Sequence, residues 1–195
     1  MQNHCRDRRR FLKTVGFVTP AMALSAMAPS TMVLATLAIP VSGLAAERRQ
    51  YRLRFYHQHT REQLDVIYRD TFRYRRDALE KINTLLRDFR TGQIHPIDPA
   101  LLDILYAIQT QTGSVSEYEI VSGFRSPKTN AMLRNQTSGV AEHSLHVKGR
   151  AIDLRLTDLS TKVLRATALD LGRGGVGYYP KSNFVHLDTG RARSW

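Results

Sequence analysis

The stretch Ser144–Leu156, with the sequence S-L-H-V-K-G-R-A-I-D-L-R-L, determines the architecture expected for this chain. In its second half the apolar residues Ile152, Leu154 and Leu156 are separated by single residues. Side chains two positions apart lie on the same face of a strand, so this pattern predicts a strand from residue 150 to 156 with those three residues in the core. Asp153 then points to the opposite face.

The first half of the stretch contains a histidine that can return toward this aspartate. His146 precedes Asp153 by seven residues, about 23 Å of extended chain at roughly 3.3 Å per residue, so the two can meet only if the chain reverses. Lys148-Gly149 supplies a turn, since glycine adopts a positive φ without strain. Such a turn would bring His146 within reach of Asp153.

A second alternating segment, Phe184–Asp188, has the same organisation. Its apolar residues Val185 and Leu187 are expected in the core, and His186 on the other face. If this strand neighbours the first one, two imidazoles and one carboxylate converge on one surface. That is a ligand set of catalytic zinc sites, which keep a fourth position open for water.

The same residues also have an ordinary structural interpretation. Histidine and aspartate are common in loops and caps, and Asp153 could pair with Arg150 or Arg155 instead of a metal. Residue spacing by itself therefore leaves both interpretations open.

The rest of the chain predicts alternating helices and short strands. Strands are expected over residues 51–56, 64–68, 119–122, 176–179 and 184–188, the first two forming a hairpin. Helices are expected over residues 78–89, 98–113, 128–134 and 158–171. The expected fold class is α+β, a small, mainly antiparallel sheet with two or three helices packed on one side and the zinc site on the sheet face.

Residues 1–46 have the organisation of an export signal. Arginines in D-R-R-R (residues 7–10) precede F-L-K (11–13), the layout of a twin-arginine signal, and residues 14–46 carry no charged side chain. Three prolines interrupt the apolar stretch, which disfavours a straight membrane-spanning helix. Small residues near Ala45 and Ala46 suit signal peptidase, an uncleaved anchor being the alternative. We expect a signal peptide over 1–46 and a periplasmic catalytic domain over 47–195, with no stable membrane insertion after cleavage.

The net charge indicates which classes of molecule the chain could bind, and the cysteine count decides whether it could form a disulfide. The chain carries a net charge of +12. Residues 1–46 contain five basic side chains and one acidic one, a net of +4, so +8 remains on the rest of the chain. The sole cysteine, Cys5, lies in the signal, so the mature chain can form no internal disulfide. No stripe of basic residues interleaved with aromatics is present, so nucleic acid is not an expected partner. Cell-wall polymer and anionic membrane surface are the remaining polyanions.

Three motifs together resemble a known family. They are Ser144-x-His146-x2-Gly149-x-Ala151-x-Asp153, the segment S-G-F-R-S at Ser122–Ser126, and Gly174–Gly190 followed by Arg193-Ser194-Trp195. This pattern is similar to the zinc D-Ala-D-Ala carboxypeptidase family, which also includes murein endopeptidases and the hedgehog signalling fold. The resemblance covers essentially the whole mature chain and is closest to the twin-arginine-exported murein endopeptidase K type.

The resemblance implies roles for individual residues. His146, Asp153 and His186 would bind Zn²⁺, and Arg125 would hold the substrate near the scissile bond, since a guanidinium suits a carboxylate or a polarised carbonyl. A salt bridge that braces the loop is the alternative role of Arg125.

Four further residues are expected around these. Ser122 and Tyr178 are predicted substrate contacts, although one of the pair Tyr178-Tyr179 is expected to be ordinary core. Ser144 and His143 are predicted to lie next to the metal ligands as supporting residues.

The sequence departs from the wider family at the catalytic base. Many relatives place a glutamate three residues before the last zinc histidine, or a histidine two before it, whereas this chain has Asn183 and Phe184 there. Asp188 is the expected catalytic substitute, because it shares a strand face with His186 about 6–7 Å along. Alternatively, Asp188 hydrogen-bonds His186 and only determines its tautomer. Glu142 and His143 are further candidates for the base.

The expected function is zinc-dependent hydrolysis of peptide cross-links in murein. Its partners would be peptidoglycan stem peptides and, during export, the twin-arginine translocase. A carboxypeptidase that trims terminal D-Ala and a non-catalytic peptidoglycan-binding module are the two alternatives, the second favoured by the missing bases.

Overall fold

The computed structural model describes residues 49–136 and 140–195. The predicted signal peptide, residues 1–46, lies outside these ranges. Within them, no helix combines the length and the apolar character that crossing a membrane requires.

The described part of the chain folds into seven strands and four α-helices. The strands are β1 (Gln50–His57), β2 (Gln63–Asp70), β3 (Tyr118–Ser122), β4 (Ala151–Leu156), β5 (Gly175–Tyr179), β6 (Phe184–Asp188) and β7 (Arg193–Ser194). The helices are α1 (Arg76–Leu85), α2 (Pro99–Thr112), α3 (Pro127–Gln136) and α4 (Thr161–Leu171), with a 3₁₀ turn at Leu145–Lys148.

All seven strands belong to one sheet, in the order β2-β1-β3-β4-β6-β5-β7. The α+β class is confirmed, but the prediction of a small, mainly antiparallel sheet is wrong. The sheet is mixed, because β1 pairs with β3 and β5 pairs with β7 in parallel. Residues between β1 and β3 include a hairpin strand and two helices. A connection of that length lets the chain re-enter the sheet in its original direction.

The core confirms the faces predicted from alternation. Ile152, Leu154 and Leu156 of β4 are buried together with Val185 and Leu187 of β6. Residues of α1, α2 and α4 belong to the same cluster, among them Ile82, Leu101, Leu105 and Leu164. The polar side chains of β4 and β6 therefore lie on the face turned away from this cluster.

Helix α1 ends at Leu85, four residues before its predicted end. The carbonyl of Leu86 accepts a hydrogen bond from the Phe124 amide at 2.8 Å, and the Asp88 carboxylate accepts one from the Ser126 amide at 2.9 Å. The chain after α1 therefore anchors the segment Ser122–Ser126, an interaction between distant residues that local periodicity does not report.

Candidate metal centre

Strands β4 and β6 place two of the predicted ligands side by side. The strands are antiparallel neighbours, and Asp153 lies directly opposite His186 in the ladder. Because directly paired residues share a face, both side chains emerge together, and His186 Nδ1 lies 2.9 Å from Asp153 Oδ1. The adjacency assumed in the sequence analysis is therefore present.

The predicted turn brings His146 to the same point. Ser144 begins the 3₁₀ turn, its Oγ accepting a hydrogen bond from the His146 amide at 3.3 Å, and Gly149 ends it with φ of 63°. A Cβ at Gly149 would lie 2.1 Å from the Pro96 carbonyl oxygen, so the position requires glycine for space as well as for φ. His146 Nε2 lies 3.2 Å from both Asp153 Oδ1 and His186 Nδ1.

Outer hydrogen bonds determine which ring nitrogens face inward. His146 Nδ1 is 2.7 Å from the Gly123 carbonyl oxygen, which can only accept, so Nδ1 carries the proton. His186 Nε2 is 3.0 Å from Asp188 Oδ2 and donates to it in the same way. The inner atoms, His146 Nε2 and His186 Nδ1, then present lone pairs toward the Asp153 carboxylate.

This donor set fits a divalent cation. The ligand atoms of His146, Asp153 and His186 all lie within 4.8 Å of one another, and all three residues are buried. Three electron-rich atoms in such proximity repel one another unless a positive charge lies between them. Two imidazole nitrogens and one carboxylate oxygen are ligands that zinc accepts. The sequence-predicted trio is therefore assembled as a possible metal site.

The charges around the cluster agree with this assignment. Burial lowers the pKa of His146, which favours the neutral imidazole that a metal requires. Burial alone would raise the pKa of Asp153. However, the nearby imidazole of His146, hydrogen bonds with both histidines and the charge of Arg125 hold it well below its usual range. Burial likewise opposes charge on His186, but its hydrogen bonds to Asp153 and Asp188 raise its pKa. The Asp153 carboxylate is therefore ionised, and its negative charge favours a positive charge placed among the three ligand residues.

Arg125 lies beside the carboxylate rather than free in the cavity. Its Nη2 donates to Asp153 Oδ2, and its Nε donates to Ser122 Oγ at 2.9 Å. The loop that carries it is held by Gly123, whose added Cβ would lie 2.6 Å from the Leu86 carbonyl oxygen. Ser122, a predicted substrate contact, is buried, is not among the residues that line the cavity described below, and accepts this hydrogen bond from Arg125.

Asp188 is enclosed by hydrogen-bond donors. Besides His186, Arg193 donates to both of its oxygens, at 3.0 and 2.7 Å. The amides of Gly175 and Gly190 donate to Oδ1 at 3.1 and 2.8 Å. Burial would raise the pKa of Asp188, but these donors hold it well below its usual range. Of the two roles left open by the sequence, this geometry suits the one in which Asp188 orients His186.

A cavity of about 810 Å³ opens over the cluster. Its lining includes Arg125, His143, Ser144, Tyr179, Phe184 and Trp195. Tyr178 is not among its lining residues: it packs against the hydrophobic core, and the Arg165 guanidinium lies 5.4 Å from its ring centroid. Of the two tyrosines, Tyr179 is the one that lines the cavity, since consecutive residues of β5 point to opposite faces, so this geometry does not favour the substrate contact predicted at Tyr178.

Two residues of this site, Arg193 and Trp195, entered the sequence analysis only as part of a family motif and were given no role there. Arg193 and Trp195 lie over β5, where a Cβ at Gly175 would meet the Arg193 guanidinium at 2.2 Å and one at Gly177 would meet the Trp195 indole at 2.7 Å. The spacing Gly175-x-Gly177 was the available signal, because glycines two apart in a strand leave one face open for close approach.

Comparison with known proteins identifies the family. A family model described as peptidoglycan L,D-endopeptidase MepK matches residues 44–195. The chain belongs to this peptidase family. The peptidoglycan L,D-endopeptidase MepK of Escherichia coli K12 is 39% identical over 189 residues, 97% of each chain. The probable peptidoglycan L,D-endopeptidase MepK of Haemophilus influenzae is 48% identical over 118 residues, covering 60% of this chain and 63% of the relative. The resemblance found in the motifs is thus confirmed.

Proposed function

We propose that this chain is a zinc-dependent peptidoglycan endopeptidase that hydrolyses peptide cross-links between stem peptides. The observation that carries the proposal is the convergence of His146, Asp153 and His186 at the floor of a cavity large enough for a peptide. Membership of the peptidase family supports it. Relatives at 39–48% identity are named L,D-endopeptidases, and we extend that bond preference to this chain.

The proposed metal ligands are His146 Nε2, Asp153 Oδ1 and His186 Nδ1. Two neutral histidines and one carboxylate would leave a divalent ion with net positive charge. Zinc in such a site would polarise the scissile carbonyl of the substrate and would lower the pKa of a bound water toward about 7. The protein contributes the geometry: Gly123 and Asp188 hold the outer ring nitrogens, so both imidazoles are oriented before the metal arrives.

Arg125 is proposed as the residue that anchors the substrate. Its contacts with Asp153 and Ser122 use Nη2 and Nε, and among the described residues Nη1 has no hydrogen-bond partner. Because Arg125 lines the cavity, Nη1 is the nitrogen through which it would bind a substrate carbonyl or carboxylate.

For proton transfer we propose His143 rather than Asp188. The Asp188 carboxylate already accepts from His186, Arg193 and two backbone amides. His143 is exposed and lines the cavity outside the metal cluster, so its imidazole is accessible to a substrate or to water. Glu142 is also exposed, and its carboxylate lies 3.5 Å from the Arg134 guanidinium, outside the cavity lining.

We further propose that residues 1–46 direct export by the twin-arginine translocase and that residues 47–195 act in the periplasm. The arginine pair before an uncharged, proline-interrupted stretch supports this proposal. A substrate that is part of the cell wall also requires an exported enzyme.

Digestion of purified murein sacculi tests the proposed function. The zinc-loaded protein should convert cross-linked muropeptide dimers to monomers, resolved by chromatography, without releasing a free amino acid. His146→Ala should lose both zinc and cleavage, whereas His59→Ala, which alters an exposed histidine outside the cavity, should retain both. Release of free D-Ala would indicate the carboxypeptidase instead. If the zinc-loaded protein binds sacculi but releases no soluble product, that result would contradict an enzymatic role.

A further inference from the structure

The cavity has one wall made of aromatic rings, which we call the aromatic wall: Phe184, Tyr179 and Trp195. All three line the cavity. The Tyr179 and Phe184 rings stack with centroids 4.5 Å apart, and Trp195 Nε1 donates to Tyr179 Oη at 2.9 Å. The Trp195 ring centroid lies 5.2 Å from that of His186. The wall therefore runs without interruption from the metal cluster along one side of the cavity.

The position of Trp195 is determined by backbone and neighbouring side chains together. The Tyr178 amide donates to the Trp195 carbonyl at 3.0 Å, and the Trp195 amide donates to the Val176 carbonyl at 3.3 Å. Its indole rests on Gly177, where a Cβ would be 2.7 Å from the ring. The Arg193 guanidinium lies 4.8 Å from the ring centroid. Few rotamers remain to such a ring, so binding against it costs little conformational entropy.

Despite these contacts, 48% of Trp195 is exposed. The other large apolar side chains that are exposed in the described residues, such as Phe72, Ile94 and Val115, lie outside this cavity. A rigid aromatic surface that faces a cavity beside the reacting centre is typical of a ligand contact, because burying it against a ligand removes apolar area from water.

We propose that Trp195 is a substrate-positioning residue that packs its exposed indole against the aliphatic part of a stem peptide. Stem peptides present methyl and methylene groups, for example from D-Ala and from the side chain of diaminopimelate. This inference rests on the proposed function and adds to it the surface that holds the peptide beside the metal cluster.

Kinetics on cross-linked muropeptide dimers test the role of the indole. Trp195→Ala should lower kcat/KM about tenfold or more, mainly through KM, because truncating a buried tryptophan contact commonly costs that much affinity. Trp195→Phe should restore most of the loss. Ile94→Ala, a matched truncation of an exposed apolar residue outside the cavity, should have no effect. Zinc content should remain equal in all four proteins.

Fluorescence gives an independent measurement, because Trp195 is the sole tryptophan of the chain. The protein is first stripped of metal with a chelator, so that it can bind muropeptide dimers without cleaving them. The dimers are then added and the emission is recorded. The emission of Trp195 should shift to shorter wavelength and saturate as the dimer covers the ring. In the double variant Trp195→Phe with Val115→Trp, the tryptophan is placed at an exposed position outside the cavity, and its emission should not respond.

The possible outcomes separate this inference from the proposed function. An unchanged KM in Trp195→Ala together with an emission that does not respond to the dimer would overturn the inference while leaving the endopeptidase intact. Loss of zinc in parallel with activity would also overturn it, since Trp195 would then only support His186. A wild-type protein that shifts its emission but never cleaves would refute the proposed function and keep Trp195 as a peptide contact.

Discussion

Replacement of Asp188 by asparagine distinguishes its two possible roles. If Asp188 orients His186, Asp188→Asn should weaken zinc binding, and cleavage should largely recover when zinc is saturating. If Asp188 takes the proton of the attacking water, zinc binding should persist while kcat collapses. The substitution preserves the shape of the side chain but turns one acceptor oxygen into a donor.

The contacts of Asp188 give the magnitude. An amide nitrogen in place of Oδ1 would face three donors, from Gly175, Gly190 and Arg193, whereas in place of Oδ2 it faces only two, from His186 and Arg193. The second arrangement is less costly, so the bond to His186 is lost. Loss of such an orienting contact typically lowers metal affinity 10–100-fold, about 1.4–2.7 kcal/mol. Arg193 keeps its bond to Oδ1 but loses the charged Oδ2 that it pairs with, so the free energy of unfolding should also fall, by about 1.5–3 kcal/mol.

Zinc affinity is measured by competition with a chromophoric chelator, and cleavage by chromatography of muropeptides at saturating zinc. Arg193→Gln provides a milder variant that keeps the Asp188–His186 bond, and it should lower zinc affinity less than Asp188→Asn does. An Asp188→Asn protein with wild-type zinc affinity and a kcat reduced a thousandfold or more would refute the orienting role and restore Asp188 as the base.

Two further predictions concern stability. Burial, aided by the nearby His59, lowers the pKa of His57 to about 4. As the pH falls, His57 therefore takes up a proton in the unfolded chain before it does so in the folded one. Its contribution to the free energy of unfolding, up to about 3 kcal/mol, is fully present above pH 6.5 and should be lost as the pH falls to 4. Denaturant unfolding across this range should show that slope, and His57→Asn should flatten it; an equal slope in the variant would contradict the assignment. Gly149→Ala should destabilise the protein and weaken zinc binding far more than Gly113→Ala, because both glycines have positive φ but only Gly149 lies against backbone. Equal losses measured by thermal unfolding would show that φ alone matters.

Much of the site could be derived from local patterns. Alternation of apolar residues placed Asp153 and His186 on the face away from the core, and Lys148-Gly149 predicted the reversal that returns His146, because side-chain direction in a strand and the positive φ of glycine are local properties. Strand alternation also distinguishes Tyr178 from Tyr179, and the sequence analysis did not apply it there. Val176 belongs to the core, so Tyr178, two residues later, shares its face and Tyr179 does not.

What the sequence by itself determined were thus the residue types, their faces and the turn. Only the tertiary structure decided that β4 and β6 are neighbours, that β1 pairs in parallel with β3, and that β7 brings Arg193 to Asp188. These pairings join residues far apart in the chain, and they depend on which arrangement buries the whole core at once. The carboxylate of Asp188 looked like an available base because two of its donors, Gly175 and Arg193, belong to other strands, and no local pattern reports a partner that folding supplies.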